Sequence, residues 1–137
     1  MEKEVSLGDF RFRAFDKIRY ADTDRQGHVN NAVFATLLET GRVEILFELT
    51  EPGSSFLIAR LVVEFRAEIR WPGTVSIGTR VGSVGRSSIK LEQGLFQDDR
   101  CVATAETVIV LIDDVTRKSR ALPAVALKRL GVPPDGG

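Results

Sequence analysis

The stretch that decides the fold runs from Tyr20 to Phe34 and reads YADTDRQGHVNNAVF. An apolar, strand-like run ends at its beginning, and apolar residues at helical spacing begin near Asn31. Between them lie two aspartates, a glycine, the only histidine of the chain and two adjacent asparagines. A helix start offers unpaired backbone N–H groups and the positive end of the helix dipole. This polar loop therefore indicates a site that can bind an anionic oxygen.

The pattern on both sides of the loop predicts a helix packed on a sheet. Residues 10–20 alternate as a strand, and residues 31–49 form a helix with apolar side chains on two sides, which favours a helix wrapped by other elements. Four further strands are expected where alternating runs are separated by turn residues, at 56–69, 75–84, 88–97 and 101–112. The run VIVLI at 108–112 is typical of an inner strand buried on both faces.

The C-terminal part predicts a short helix from Pro123 to Leu130, and a flexible tail over residues 131–137. One long helix with one antiparallel sheet makes a two-layer α+β domain, and we expect residues 1–137 to form a single domain. Such a sheet leaves strand edges and apolar surface open, so a homo-oligomer is expected.

The composition excludes several classes of function. Lys+Arg and Asp+Glu both number 19, so the chain carries no basic surplus that would indicate nucleic acid or an anionic membrane as a partner. No apolar run approaches the roughly 20 residues that span a bilayer. Cys101 is the only cysteine, which rules out an internal disulfide and argues against a structural metal site. A cytoplasmic location is the default expectation.

The motif DTDxxGHVNNA at residues 22–32 resembles the signature of hotdog-fold thioesterases of the 4-hydroxybenzoyl-CoA thioesterase type. It is also similar to the matching loop of acyl-carrier-protein thioesterases. The resemblance implies a hotdog fold, in which one long helix is wrapped by a curved antiparallel sheet of about five strands, and a dimer or dimer of dimers. It also implies hydrolysis of acyl-CoA thioesters, with coenzyme A only as part of the substrate and no other cofactor.

The resemblance assigns roles to residues of the loop. In this family the carboxylate at the position of Asp24 acts as nucleophile or as general base for water, and the backbone N–H at the position of Asn31 polarises the thioester oxygen. Gly27 would let the loop turn tightly, and Asn30 and Phe34 would meet the substrate. The alternative is purely structural: Asp24 bonds its own loop, and Asn30 or Asn31 caps the helix. Asp22 is expected to form a turn or to support the site.

Two further side chains are candidates for catalysis. In the acyl-carrier-protein thioesterases a histidine in a similar run takes part, but those enzymes have asparagine where this chain has Gln26, so His28 is expected to orient the loop. Some hotdog thioesterases use a helical glutamate, which makes Glu39 a second candidate. Its alternative is an ordinary helical pair with Arg42.

The remaining candidates concern substrate binding and the choice of activity. The turn that contains Arg86, Ser87 and Ser88 resembles the region that lines the pantetheine slot in relatives. Several cationic side chains elsewhere in the chain could contact the phosphates of coenzyme A. These phosphate candidates are Arg60, Arg66, Arg70, Arg86 and Lys90.

Two rival functions remain open. They are an acyl-carrier-protein thioesterase that uses Asp24 and His28, and a non-catalytic module that binds acyl-CoA. A hotdog hydratase or dehydratase is disfavoured because its sequence pattern is absent.

Overall fold

The computed structural model describes residues 4–131, so the expected tail lies outside the described residues except for Gly131. The helices and strands are β1 Phe12–Lys17, α1 Asn31–Leu46, β2 Ser54–Phe65, β3 Thr74–Val84, β4 Ser88–Gln97, β5 Arg100–Asp113 and α2 Ala124–Arg129. The five strands form one antiparallel sheet with the order β1-β3-β4-β5-β2. The long helix α1 follows β1, and the short helix α2 follows β5.

This arrangement confirms the predicted α+β hotdog fold. Every predicted element is present, and the largest boundary differences are at the C-terminal ends of β1, α1 and β2. The helix ends at Leu46 because the next residues form a tighter turn, in which Leu49 N donates to Leu46 O. The strand β2 ends at Phe65 because Arg66 N and Ala67 N both donate to Val102 O, which interrupts the ladder.

The long helix begins at a capped end and packs closely on the sheet. The side chain of Asn30 accepts a 3.0 Å hydrogen bond from Ala32 N, which confirms Asn30 as the cap. In the middle of α1, a Cβ atom on Gly41 would lie 2.5 Å from Ile77 Cγ2. The glycine is therefore explained by the close approach of helix and strand.

Two apolar clusters form the core, one at each end of α1, and a buried polar layer lies between them. The first cluster contains Phe34 and Ile69, and the second contains Ile45 and Leu122. In the layer between them, Gln93 is 1% exposed. Its amide nitrogen donates to Leu38 O at 2.9 Å and to Thr79 Oγ1 at 3.0 Å, and its oxygen accepts from Arg42 at 3.3 Å. These bonds satisfy a buried amide and tie α1 to β4.

The two faces of the sheet differ in cover. The helix α1 covers one face, which we call the inner face, while the opposite outer face is partly covered by the N-terminal segment that carries Phe10. Along β5, Ile109 and Leu111 are buried, whereas Val108 and Val110 are only half-buried. The prediction that this strand is buried on both faces is therefore wrong for the single chain, because no helix packs on its outer face among the residues that the structure describes.

The strand β2 is an edge strand with many exposed apolar side chains. Ile58 is 49% exposed, Leu61 37% and Phe65 52%. These three share the inner face, since their partners in β5 include buried residues such as Ile109. An edge of this kind normally needs a covering partner.

Within residues 4–131, no helix is long and apolar enough to cross a membrane.

Candidate active site

The loop between β1 and α1 is fixed at its base by a clamp on Asp22. Arg19 N donates to Asp22 Oδ2 at 2.9 Å, and the Arg19 guanidinium donates to Oδ1 at 2.8 Å. Hydrogen bonding from this guanidinium holds the pKa of the Asp22 carboxyl below its ordinary value. The carbonyl of Asp22 also accepts a bond from Asn30 N at 2.9 Å. Asp22 therefore supports the loop, as expected, and joins its start to the beginning of α1.

The tip of the loop is held against the segment after β2. His28 forms an isolated antiparallel bridge with Arg70, and Val29 N donates to Ile69 O at 2.9 Å. Within the loop, Asp24 N donates to His28 O at 2.8 Å. Gly27 closes this turn with φ of +80°, a conformation that favours glycine. The loop is thus a small hairpin attached to residues 66–70.

Asp24 has one carboxylate oxygen bound and the other available. Its Oδ1 accepts hydrogen bonds from Gln26 N at 2.9 Å and from His28 N at 3.2 Å. Its Oδ2 has no hydrogen-bond partner among residues 4–131, and the residue is exposed. The loop therefore orients the carboxylate while one oxygen remains free to meet water or substrate.

The first turn of α1 likewise leaves one donor unpaired. Asn30 takes two of the N–H groups at this end, since its side chain accepts from Ala32 N and its carbonyl accepts from Val33 N at 2.9 Å. The backbone N–H of Asn31 makes no hydrogen bond to any atom of residues 4–131. An unpaired N–H at the positive end of a helix is suited to bind a negatively charged oxygen.

Asp24 and Asn31 line the same cleft, which has a volume of about 430 Å³. The loop and the start of α1 form one wall, and residues 65–68 form the other. Apolar side chains meet at its floor, where the rings of Phe34 and Phe65 lie edge to face with centroids 4.9 Å apart. The cleft thus combines a carboxylate, a free amide donor and an aromatic surface for an apolar group.

Glu68 is a cleft residue that the sequence did not reveal. Its Oε2 lies 3.1 Å from His28 Nε2 and 3.3 Å from Arg70 Nη2. The contact arises because the His28–Arg70 bridge brings the loop alongside a segment 40 positions further along the chain. No local pattern marks Glu68, so only the pairing of the two segments could have identified it.

Several predicted residues lie away from this cleft. Gly27 and Asn30 shape the loop and cap the helix, as described above, and are not among the cleft-lining residues. Glu39 is exposed on α1, eight residues or roughly 12 Å from Asn31. Its charge acts on Arg42: burial lowers the pKa of Arg42, and the nearby carboxylate opposes that shift. This favours the helical-pair interpretation of Glu39.

The turn that contains Arg86, Ser87 and Ser88 lies at the opposite end of the sheet. Ser88 pairs with Val110, whereas the cleft residue Phe65 pairs with Ala103, seven residues or roughly 23 Å away along β5. The carbonyls of Arg86 and Ser87 accept hydrogen bonds from backbone N–H groups of the C-terminal region and β5. Within one chain, this turn and Asp24 cannot contact the same acyl group.

Among residues 4–131, neither Cys101 nor a group of potential metal ligands lines the cleft. Cys101 is half-buried near the start of β5, where its Sγ lies 3.4 Å from Ala103 O, and burial raises the pKa of the thiol. The side chains of residues 4–131 do not group three His, Cys, Asp or Glu residues in a way that could hold a metal ion.

Comparison with known proteins places the chain in a family. The family described as "Thioesterase-like superfamily" matches residues 18–130. The chain is 28% identical to the acyl-CoA thioester hydrolase YbgC of Escherichia coli, over 82% of this chain and 90% of that protein. It is 27% identical to the chloroplastic acyl-acyl carrier protein thioesterase ATL2 of Arabidopsis thaliana, over 76% of this chain and 60% of that protein.

Solved structures share the fold along most of the chain. A thioesterase from Thermus thermophilus, complexed with coenzyme A and Zn, has a TM-score of 0.79 and 27% identity, with 88% of this chain and 98% of that chain covered. The PA5185 protein of Pseudomonas aeruginosa has a TM-score of 0.86 at 21% identity, with 94% and 95% covered. The second likeness concerns the fold alone.

Proposed function

Because the chain belongs to the thioesterase-like superfamily, we propose that it hydrolyses acyl-CoA thioesters to a free acid and coenzyme A. The observation that carries this proposal is the pair of unpaired groups in one cleft, the Oδ2 atom of Asp24 and the backbone N–H of Asn31. Thioester hydrolysis needs a positioned nucleophile or base and a donor for the carbonyl oxygen, and these two groups can supply them. The names of YbgC and of the Thermus thermophilus thioesterase support the choice of substrate.

The chemistry follows from these two groups. The thioester carbonyl oxygen binds at the Asn31 N–H, and Asp24 Oδ2 takes a proton from a water molecule as that water attacks the carbonyl carbon. The tetrahedral oxyanion is stabilised at the helix start, and it collapses as the C–S bond breaks. The thiolate of coenzyme A leaves and is protonated, and the free acid remains. In the alternative, Asp24 attacks the carbonyl itself, and water then hydrolyses the anhydride.

His28 orients the loop rather than exchanging protons with the substrate. Its Nε2 contacts Glu68, and its backbone N–H donates to Asp24 Oδ1. The first contact holds the imidazole against the cleft wall formed by residues 65–68. The second orients the carboxylate of Asp24. We assign Glu39 no role in this chemistry because it does not line the cleft.

An acyl-carrier-protein thioesterase is the second candidate function. The likeness to ATL2 and the presence of His28 in the cleft favour it. Gln26 argues against the mechanism of those enzymes, because they have asparagine at this position, and here the Gln26 backbone N–H serves only to hold Asp24. A carrier-protein substrate would reach the same Asp24 and Asn31 groups.

A thiol-release screen tests the proposed function. The purified protein is incubated with a panel of acyl-CoA thioesters of varied length and with aromatic acyl groups, and free thiol is measured. The same acyl groups on acyl carrier protein form the second arm. Turnover on acyl-CoA supports the proposal, turnover on carrier protein alone selects the second candidate, and binding without turnover on either arm identifies a non-catalytic module.

We propose in addition that the protein is at least a dimer through the β2 edge. Ile58, Leu61 and Phe65 expose apolar surface on this strand, and Phe65 also lines the cleft. Sedimentation at micromolar concentration should give a dimer or larger species. Leu61→Lys should shift the protein toward monomer, whereas Val115→Lys, at a position 89% exposed in the turn after β5, should not. A wild-type monomer would contradict the proposal.

A further inference from the structure

The inner face of the sheet carries a groove between α1 and β2 that begins at the catalytic cleft. Phe34 of α1 and Phe65 of β2 both line the cleft. Further along β2, the inner-face side chains of Leu61 and Ile58 are 37% and 49% exposed, so α1 leaves this edge of the sheet uncovered. We call the space the α1–β2 groove. An acyl group whose carbonyl oxygen binds at the helix start can extend into it.

Arg42 lies on the side of α1 that faces this groove. Thr40 marks the opposite side, because its hydroxyl donates to Asp16 of β1 at 3.5 Å, and β1 and β2 are the two edges of the sheet. An advance of two residues turns a helical side chain by about 200°, so Arg42 points away from β1 and toward β2. The pocket between α1 and β1 accordingly has Gly41 and Glu44 in its walls but not Arg42.

The guanidinium of Arg42 is buried, yet most of its donors are unpaired. The residue is 4% exposed, and its one hydrogen bond within residues 4–131 runs from Nη1 to Gln93 Oε1 at 3.3 Å. Its Nε and Nη2 atoms are not fully enclosed, because Thr107 Oγ1 is the one enclosed side-chain nitrogen or oxygen of those residues without a partner. Two neighbouring guanidinium nitrogens are the donors that bind a carboxylate in a fork-like pair. Nε and Nη2 are therefore available for such a ligand.

Thr107 places a second unpaired group in the same buried layer. It is 0% exposed, and it follows Ala105, the partner of Gln93, by one inner-face step of roughly 7 Å along β5. Arg42 follows Leu38, whose carbonyl accepts from Gln93, by one helical turn of roughly 6 Å. Both elements run away from the cleft, so both residues lie one step beyond Gln93. Buried polar groups normally have partners, and a ligand with acceptor oxygens would supply them here.

The layer lies at a distance that an acyl chain of medium length can span. One amide group, that of Gln93, bonds both Leu38 O and Arg42 Nη1, so the guanidinium lies near the level of Leu38. Leu38 is seven residues after Asn31, which is roughly 10 Å along the helix. An extended chain advances about 1.2 Å per bond, so about eight or nine bonds connect the carbonyl carbon to this level.

We propose that the acyl group of the substrate ends in a carboxylate that binds to Arg42, so that the preferred substrates are coenzyme A monothioesters of dicarboxylic acids. The inference rests on the proposed thioesterase function, because it places the thioester carbonyl at Asn31. The side chains of Phe65 and Leu61 pack on the methylene chain, and Nε and Nη2 of Arg42 bind the two carboxylate oxygens. In the dimer proposed above, the partner covers the groove at β2 and leaves the cleft as its entrance.

The experiment measures kcat/KM for two series of acyl-CoA thioesters of increasing length, one ending in a methyl group and the other in a carboxylate. The readout is the ratio of the carboxylate-ended to the methyl-ended substrate at equal length, which does not depend on the fraction of folded enzyme. In the wild type the ratio should reach its maximum at about eight to ten carbons. At that length the carboxylate-ended substrate should be preferred about tenfold.

Substitutions of Arg42 test whether this residue causes the preference. Arg42→Met removes the guanidinium but keeps a long side chain, and it should lower the ratio at least about tenfold. Arg42→Lys keeps the charge without the fork of N–H groups, and its loss should be smaller. The control Arg117→Met removes an exposed arginine in the turn after β5 and should leave the ratio unchanged.

Three results would overturn the proposal. They are a wild type without preference for the carboxylate at any length, a preference that does not vary with length, and a preference that Arg42→Met retains. In the first case the spare donors of Arg42 serve the assembly of the protein and not its substrate. If Arg42→Met does not fold, the length profile of the wild type and the Arg42→Lys variant decide the question.

A binding measurement keeps this test separate from the test of the proposed function. Calorimetry with thioether analogues of the two series, which cannot be hydrolysed, needs no turnover. Tighter binding of the carboxylate-ended analogue that Arg42→Met loses supports the assignment even when no thioester is hydrolysed. Equal binding of both analogues, together with hydrolysis of methyl-ended thioesters, overturns the role of Arg42 and leaves the proposed function in place.

Discussion

Asp24 and Asp113, at opposite ends of the sheet, each accept two backbone hydrogen bonds through one carboxylate oxygen. Asp113, at the end of β5, also accepts two backbone N–H bonds through Oδ1, from Val115 and Thr116, both at 2.9 Å. Its Oδ2, however, lies 3.8 Å from Arg120, whereas the Oδ2 of Asp24 has no partner among residues 4–131. The surroundings of Asp113 thus complete a turn, and those of Asp24 leave a group available for chemistry.

The same contrast holds for the backbone around each aspartate. Near Asp113, the carbonyls of Arg86 and Ser87 are bound by N–H groups of Leu122 and Leu111. Near Asp24, the N–H of Asn31 has no partner among the described residues. Both ends are rich in polar residues, so composition alone does not separate them. The position of a site is indicated instead by polar groups that the fold orients and leaves unpaired.

The largest effect is expected at Asp24. Asp24→Asn keeps a side chain that can accept the two loop bonds but removes the carboxylate that serves as base or nucleophile. We expect kcat to fall at least about a hundredfold, since such groups typically contribute about 10²–10⁴-fold. Steady-state thiol release on the best acyl-CoA measures the loss, and circular dichroism reports the fold.

Asp113→Asn is the matched control for this change. It makes the same change of atoms in a carboxylate that also accepts two backbone hydrogen bonds, at the other end of the sheet. We expect its kcat to equal that of the wild type. If both variants lose activity to the same degree, Asp24 acts through loop structure and not through chemistry. If Asp24→Asn retains normal turnover, Glu39 becomes the first residue to test.

Whether the sequence predicts a feature of the site depends on how far apart along the chain the interacting residues lie. The loop of Asp24, Gly27 and Asn30 is predicted well, because a turn, a cap and a helix start are all decided within a few residues. The same holds for the strands, whose alternation is local. The sequence also predicts that Asp24 and the Asn31 N–H are close, since both belong to one junction.

Contacts that depend on sheet pairing could not be predicted in this way. Glu68 meets His28 only because the two segments form a bridge across 40 residues. Arg86 was expected near the substrate, and only the register of β4 on β5 reveals that it lies at the far end.

The second largest effect is expected at Gly41, in the middle of α1 between the two core clusters. Gly41→Val would drive a branched side chain into Ile77, because even a Cβ atom at position 41 would lie 2.5 Å from Ile77 Cγ2. Overpacking of this kind typically costs about 1–3 kcal/mol. Thermal unfolding should therefore show a lower Tm with a single transition, because both core clusters pack on the same helix. Gly41→Ala, which adds one methyl group, should lose less. Two separate transitions would indicate that the ends unfold independently.

A smaller effect is expected at His28, whose contacts serve geometry. His28→Asn retains a polar side chain and the backbone N–H that donates to Asp24. We expect kcat to fall less than about tenfold, below the range for loss of a general acid or base. Glu68→Gln, which weakens the contact on the other side of the cleft, should give a similar small loss. A loss at His28 as large as that of Asp24→Asn, in a folded protein, would indicate the carrier-protein mechanism instead.

The smallest effect concerns the acid stability of the Asp113 turn. Backbone hydrogen bonds from Thr116 and Val115 hold the pKa of the Asp113 carboxyl below its ordinary value. A carboxyl with a lowered pKa in the folded state stabilises the protein above its unfolded value of about 3.9, and this contribution is lost as pH falls through the lowered value. Asp113→Asn cannot titrate, so the difference in Tm between variant and wild type should shrink as the pH is lowered from about 7 to about 3. The side chain is only half-buried, so we expect a shift of a few degrees at most, measured by thermal unfolding across that pH range. A difference that stays constant with pH would mean that the Asp113 turn is held by its hydrogen-bond geometry alone and not by its charge.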